Sequence, residues 1–217
     1  MGRDGFTGID RDRAEEDIHN FDYEAICVLC SLNNKFGGFL EFLSQNWASP
    51  NAETYTKQLG NDMHDILHEY DVKEYNFVKG AYNVANKLLL ANGEVPLGEL
   101  YDTSYNETNY ATCGLELDNK TGMDTGAVTT GLSEFNHLLK RGIAEFDDLP
   151  EEIAFYDQDG ELIEVYNSGI KDFKVEIQSL LFDIMKNMNA NIEEEAYVIF
   201  TSKKEAADDI PSNTKLA

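Results

Sequence analysis

The chain has 217 residues and a net charge of -24, from 41 acidic against 17 basic side chains. An excess of this size repels nucleic-acid phosphates and anionic lipid headgroups, so neither is expected as a direct partner and a basic protein is favoured instead. An apolar content of 42% suits a folded protein, and no apolar run reaches the roughly eighteen residues that a membrane-spanning helix takes.

Residues 1–20 are dense in charge and lack the apolar core of a signal peptide, so they read as a charged N-terminal segment and export by the general secretory route is not expected. Residues 21–92 read as a first helical hairpin. Ala25, Ile26, Leu29, Leu32, Phe36, Phe39, Leu40 and Leu43 repeat at helical spacing, and so do Tyr55, Leu59, Met63, Ile66, Leu67, Tyr70, Phe77, Val78, Ala81, Tyr82, Ala85 and Leu88. Between them lies Asn46-Trp47-Ala48-Ser49-Pro50-Asn51-Ala52, which holds the single tryptophan. Ser49 suits an N-cap, Pro50 a first helical position where its missing N–H goes unused, and Glu53 the positive end of the helix dipole. So short a connection makes the two helices antiparallel, with Trp47 covering the end of their seam.

Residues 93–130 break the pattern with Pro96, repeated glycines and many Thr, Asn and Asp. They read as a linker or insertion with room for a small β-hairpin in Leu100–Leu117. Residues 131–200 then read as a second helical hairpin. Leu132, Phe135, Leu138, Leu139, Ile143 and Phe146 share one face, a turn with the aromatic pair Phe155-Tyr156 follows, and Gly160-Glu161 opens a long stripe running from Leu162 to Ile192. In this reading Phe155 and Tyr156 stand where Trp47 stands in the first half, which suggests a duplication. Residues 201–217 form a polar tail, expected to be disordered around Pro211. The fold class expected is mainly α: two antiparallel helical hairpins forming a four-helix bundle, with an irregular linker.

Trp47-Ala48-Ser49-Pro50-Asn51-Ala52 between two amphipathic helices resembles the turn of the WXG-motif proteins, the helical-hairpin substrates and partners of type VII secretion systems in Gram-positive bacteria. The resemblance covers roughly Tyr23 to Asn92, with Ser49 standing where the strict motif has glycine. It implies a non-enzymatic protein acting through protein–protein contacts with secretion machinery or a co-secreted helical protein. It also implies exit from the cytoplasm without a cleaved signal peptide. The family's Tyr-x-x-x-acid export signal is matched literally by Tyr70 to Glu74, in the middle of the second helix, where Tyr70 also fits a core position. The alternative, drawn from charge alone, is an acidic inhibitor or DNA mimic, an immunity or anti-defence protein that binds a cationic protein.

Candidate chemistry is sparse. His64 and His68 lie four apart with Asp65, Glu69 and Asp71 nearby, half of a metal site by spacing, but Asp65 stands where a zinc-protease motif has glutamate. Solvent-exposed helix residues are the expected reading. Cys27 and Cys30 have the spacing of a redox pair but no preceding strand, so small core residues are expected. Cys113 in the linker closes no disulfide framework, and the three thiols suit a reducing compartment. Asp157-Gln158-Asp159-Gly160 lacks an oxygen ligand at Phe155 for a calcium loop. Asn106 and Asn119 match the glycosylation pattern by composition alone. With no phosphate-cradling loop or nucleophile elbow, neither an enzyme nor a cofactor or metal is expected.

Overall fold

A computed structural model describes residues 8–48, 50–98, 100 and 122–208. Among these, four helices carry the fold: α1 (Arg11–Asn46), α2 (Pro50–Ala91), α3 (Thr125–Asp147) and α4 (Ile170–Asp208). Two short antiparallel pairs join them, β1 (Trp47–Ala48) with β2 (Gly122–Met123), and β3 (Ile153–Tyr156) with β4 (Leu162–Tyr166). Each helix lies against two others: α1 packs on α2 and α3, and α4 packs on α2 and α3.

The first helix begins at Arg11, inside the stretch expected to be a separate charged segment. Asp10 provides the reason, because its carboxylate accepts the Arg13 N–H at 3.2 Å and caps the helix. Arg11–Glu15 and Arg13–Asp17 then pair one turn apart, and Ala14, Ile18 and Phe21 continue the core stripe. α2 starts at Pro50 as expected. Ser49, the expected cap, lies outside the described residues.

α3 starts at Thr125, six residues inside the expected linker boundary of residue 130. Gly126, Thr129, Thr130 and Gly131 are weak helix formers. Asp124 caps their N-terminus by accepting the Ala127 N–H at 3.0 Å, and Val128 buries its side chain completely. The small β-hairpin expected in the linker, with Cys113, Asn106 and Asn119, lies outside the described residues.

The largest correction falls on the second half. The stripe from Leu162 was expected to be helical, but residues 162–166 form β4, and α4 begins only at Ile170. Leu162, Val165 and Tyr166 fit both periods, and a short apolar run does not separate them. The β-branched and aromatic residues Ile163, Val165 and Tyr166 favour a strand. Gly160, at φ 84°, supplies the turn conformation that an ordinary residue avoids, and Asp157 accepts the Asp159 and Glu161 N–H groups at 3.0 and 2.8 Å. Phe155 and Tyr156 therefore lie in a strand paired with β4, with Phe155 opposite Glu164 and Tyr156 opposite Leu162, so a two-stranded hairpin and not a single turn joins α3 to α4. The tail also changes, since the α4 backbone continues to Asp208; residues 209–217, with Pro211, lie outside the described residues.

Candidate functional site

The two β pairs mark two ends of the molecule. At one end the β3–β4 hairpin sits on the start of α1: Ile9 bridges Asp157, the Asp10 N–H donates to the Tyr156 carbonyl, and the Arg13 guanidinium lies 3.8 Å over the Tyr156 ring. Phe155 is fully buried, and Tyr166 packs on Phe77 with ring centres 5.1 Å apart. These contacts close the end.

At the other end α1 stops at Trp47, whose extended backbone leaves the helix while its N–H still caps the Leu43 carbonyl. Trp47 pairs with Met123, and the Asp124 N–H takes up the Asn46 carbonyl at 2.9 Å. The indole is buried as expected, at 3% exposure, against Tyr55 at 5.6 Å, so it plugs the seam between α1 and α2. Its N–H has no hydrogen-bond acceptor among the described residues.

Beside it opens a cleft of about 500 Å³, walled by the first turns of α2 and by α4 near Met188. Trp47 and Tyr55 form the aromatic wall, and Asp62, Glu194 and Glu195 bring three carboxylates to it. Gln58, Asn187 and Asn191 add three amides. Burial pushes the Tyr55 hydroxyl up to about 12, opposed by its hydrogen bond with Asn191 and reinforced by Asp62, so it stays protonated at neutral pH. Asp62 is raised by burial and by Asp65. Among the described residues that line it, none is cationic.

Two smaller clefts differ in this respect. One, of about 260 Å³, contains Lys73, which bridges Glu69 and Glu176 at 3.2 and 2.9 Å. The other, of about 290 Å³, contains Arg13, stacked on Tyr156 and paired with Asp17 at 3.6 Å. In both, a lysine or arginine of the chain is paired with a carboxylate.

The remaining candidates fall elsewhere. Tyr70 is fully buried, donating its hydroxyl to the Ala25 carbonyl at 2.8 Å, and Glu74 is buried one turn on. Both face the core. Glu74 rises to about 9, first because it is buried, then because Asp22 is near it and hydrogen-bonded to it, and because of Asp71. His64 and His68 stack at 6.5 Å, and among the described residues no group of three His, Cys, Asp or Glu is arranged to hold a metal ion. Cys27 is exposed and Cys30 half-buried, which corrects their placement in the core. The core face of α1 runs through Ala25, Val28, Leu29 and Leu32, and at 100° per residue Cys27 turns away from it.

The α4 half of the cleft was missed in the sequence, where Asn187, Asn191 and Glu195 look like the ordinary polar face of a helix. Buried Lys174 was also missed. It donates to the Asp147 carbonyl at 2.6 Å and to the Leu149 carbonyl, closing the C-terminus of α3. Comparison with protein-family models, curated proteins and solved structures finds no significant match to this chain. No helix among the described residues is long and apolar enough to cross a membrane.

Proposed function

We propose that this chain is a non-enzymatic helical protein that works through protein–protein contact, of the kind exported by or serving type VII secretion. The observation that carries the reading is the junction at Trp47: two long helices meet at a buried tryptophan, and a cleft of acids and amides opens beside it. In this reading the four helices make a four-helix bundle, and α3 and α4 cover the hairpin face that a WXG protein offers to a partner hairpin. The chain is made in the cytoplasm and leaves it without signal cleavage. The test is secretion in the organism that encodes it, with the type VII ATPase intact or deleted. Appearance outside the cell only with the ATPase supports the reading, and retention in both strains removes it.

A second reading is favoured by the net charge of -24. Here the protein is an acidic inhibitor of a cationic protein, and capture weakens as ionic strength screens the attraction. Binding that is unchanged between low and high salt, or no basic protein recovered at low salt, counts against it.

A further inference from the structure

We infer that Asp22 on α1 and Glu74 on α2 are held together by one shared proton, a latch that keeps the two helices closed up to neutral pH and releases their seam when alkali removes it. The inference stands apart from the protein-binding reading above. Glu74 is 5% exposed, and its Oε1 has no hydrogen-bond partner among the described residues. Its neighbour across the seam is the Asp22 carboxyl, hydrogen-bonded to it. Ionised carboxylates only accept, so a hydrogen bond between two of them exists only while one keeps a proton. A proton on Glu74 turns the contact from repulsion into a charge-assisted hydrogen bond.

No cation stands in for the proton. Among the described residues neither Asp22 nor Glu74 joins an ion pair, and nearby cations pair elsewhere: Arg11 with Glu15, Arg13 with Asp17, and Lys73 with Glu69 and Glu176. Lys79 lies over the Tyr75 ring, and Tyr82, further along α2, meets the charges of Glu15, Asp22 and Arg11. On α4, Lys174 donates to the Asp147 and Leu149 carbonyls. What α3 and α4 set against this part of α2 is aromatic, Phe146 and Phe173 on the Tyr70 ring, and β4 adds Tyr166 on Phe77. Tyr70 gives its hydroxyl to the Ala25 carbonyl, and Asp71 adds a further negative charge beside Glu74. Burial and like charge therefore act in one direction, and Glu74 keeps its proton until about 9, titrating as one unit with Asp22. Beyond that point two charges face each other across the α1–α2 seam.

The proton is read by NMR of the full chain with ¹³C at the glutamate side-chain carboxyls, where the Glu74 signal is the one missing from Glu74→Gln. Expected is a Glu74 carboxyl still protonated at pH 7, when exposed glutamates are ionised, with a midpoint lowered by about one pH unit or more in Asp22→Asn. A Glu74 signal ionised at pH 7, or a midpoint that Asp22→Asn leaves in place, overturns the shared proton. The latch is read by pulsed hydrogen exchange at pH 9.5, comparing the parent with Glu74→Gln, whose amide is a permanent donor toward Asp22. Residues 17–26 and 70–78 should open at least about tenfold more in the parent, while residues 135–146 and 177–188 of α3 and α4 keep equal protection in the two proteins. Equal exchange along the seam, or a loss spread evenly over all four helices, overturns the latch. A Glu74→Gln chain that does not fold overturns it too, since the amide supplies the same hydrogen bond.

Discussion

The two ends of the molecule are built from similar parts, a two-stranded antiparallel pair against helix termini, and they finish differently. At the hairpin end each prominent polar group is answered: Asp157 by two backbone N–H groups, Arg13 by Tyr156 and Asp17, and the Tyr156 carbonyl by the Asp10 N–H. At the Trp47 end the indole is buried against Tyr55, its N–H has no hydrogen-bond partner among the described residues, and Asp62, Glu194 and Glu195 line a cleft with no cation among its described lining residues. A buried group left unpaired costs stability. The hairpin end closes on itself, and the Trp47 end leaves an open cleft lined by acids and amides.

Breaking the Trp47 end has the largest expected effect. Trp47→Ala removes a buried indole from the seam of α1 and α2 and is expected to cost about 3–5 kcal/mol in urea unfolding followed by circular dichroism. A variant as stable as the parent would mean that the ring is not part of the core.

The middle of the molecule carries a pH response. Glu74 keeps its proton in the fold, near 9, and releases it near 4.5 in the unfolded chain. Its contribution is therefore fully present below about 4.5 and is lost as pH rises toward 9, with a slope of at most about 1.4 kcal/mol per pH unit. Stability should rise on acidification from pH 8 to pH 5. Glu74→Gln should be more stable than the parent at pH 7, by up to about 3 kcal/mol, with a flatter profile. A parallel pH profile for the two proteins would show that general charge repulsion and not Glu74 sets the response.

Lys174→Met tests the α3 end near the hairpin. It leaves two backbone carbonyls without their donor and should cost about 2 kcal/mol in the same unfolding experiment. No loss would place those carbonyls in contact with water.

The smallest effect is expected at the α1–α3 contact. A Cβ at Gly131 would meet the Phe42 ring at 2.3 Å, whereas at Gly38 it would meet nothing within 4 Å. Gly131→Ala should destabilise by about 1–2 kcal/mol despite its better helix propensity, and Gly38→Ala should stabilise by up to about 1 kcal/mol. Equal effects would show that α3 moves freely away from α1.

How far this was legible in the sequence follows the same division. α1 and α2 are readable because their apolar stripes are long and the Trp47–Pro50 break carries its own stop and start chemistry. Tyr70 is readable as core for the same reason, and Glu74 follows it one turn later onto the buried face. β4 is not readable, because Leu162, Val165 and Tyr166 satisfy a helical face as well as a strand, and what decides is their pairing with β3 and the seat of Tyr166 on Phe77. The cleft is half readable. Trp47 and Tyr55 stand out as aromatics at a turn, but Asn187, Asn191 and Glu195 come from a helix that reaches them only through the packing of α4 on α2.

The most direct measurement is the fluorescence of the single tryptophan in the full chain, with acrylamide quenching, before and during urea unfolding. Trp47 is the only tryptophan of the chain, and its indole is buried against Tyr55. The account predicts blue-shifted emission that acrylamide quenches only weakly until the chain unfolds. Red-shifted, readily quenched emission from the folded chain would contradict it.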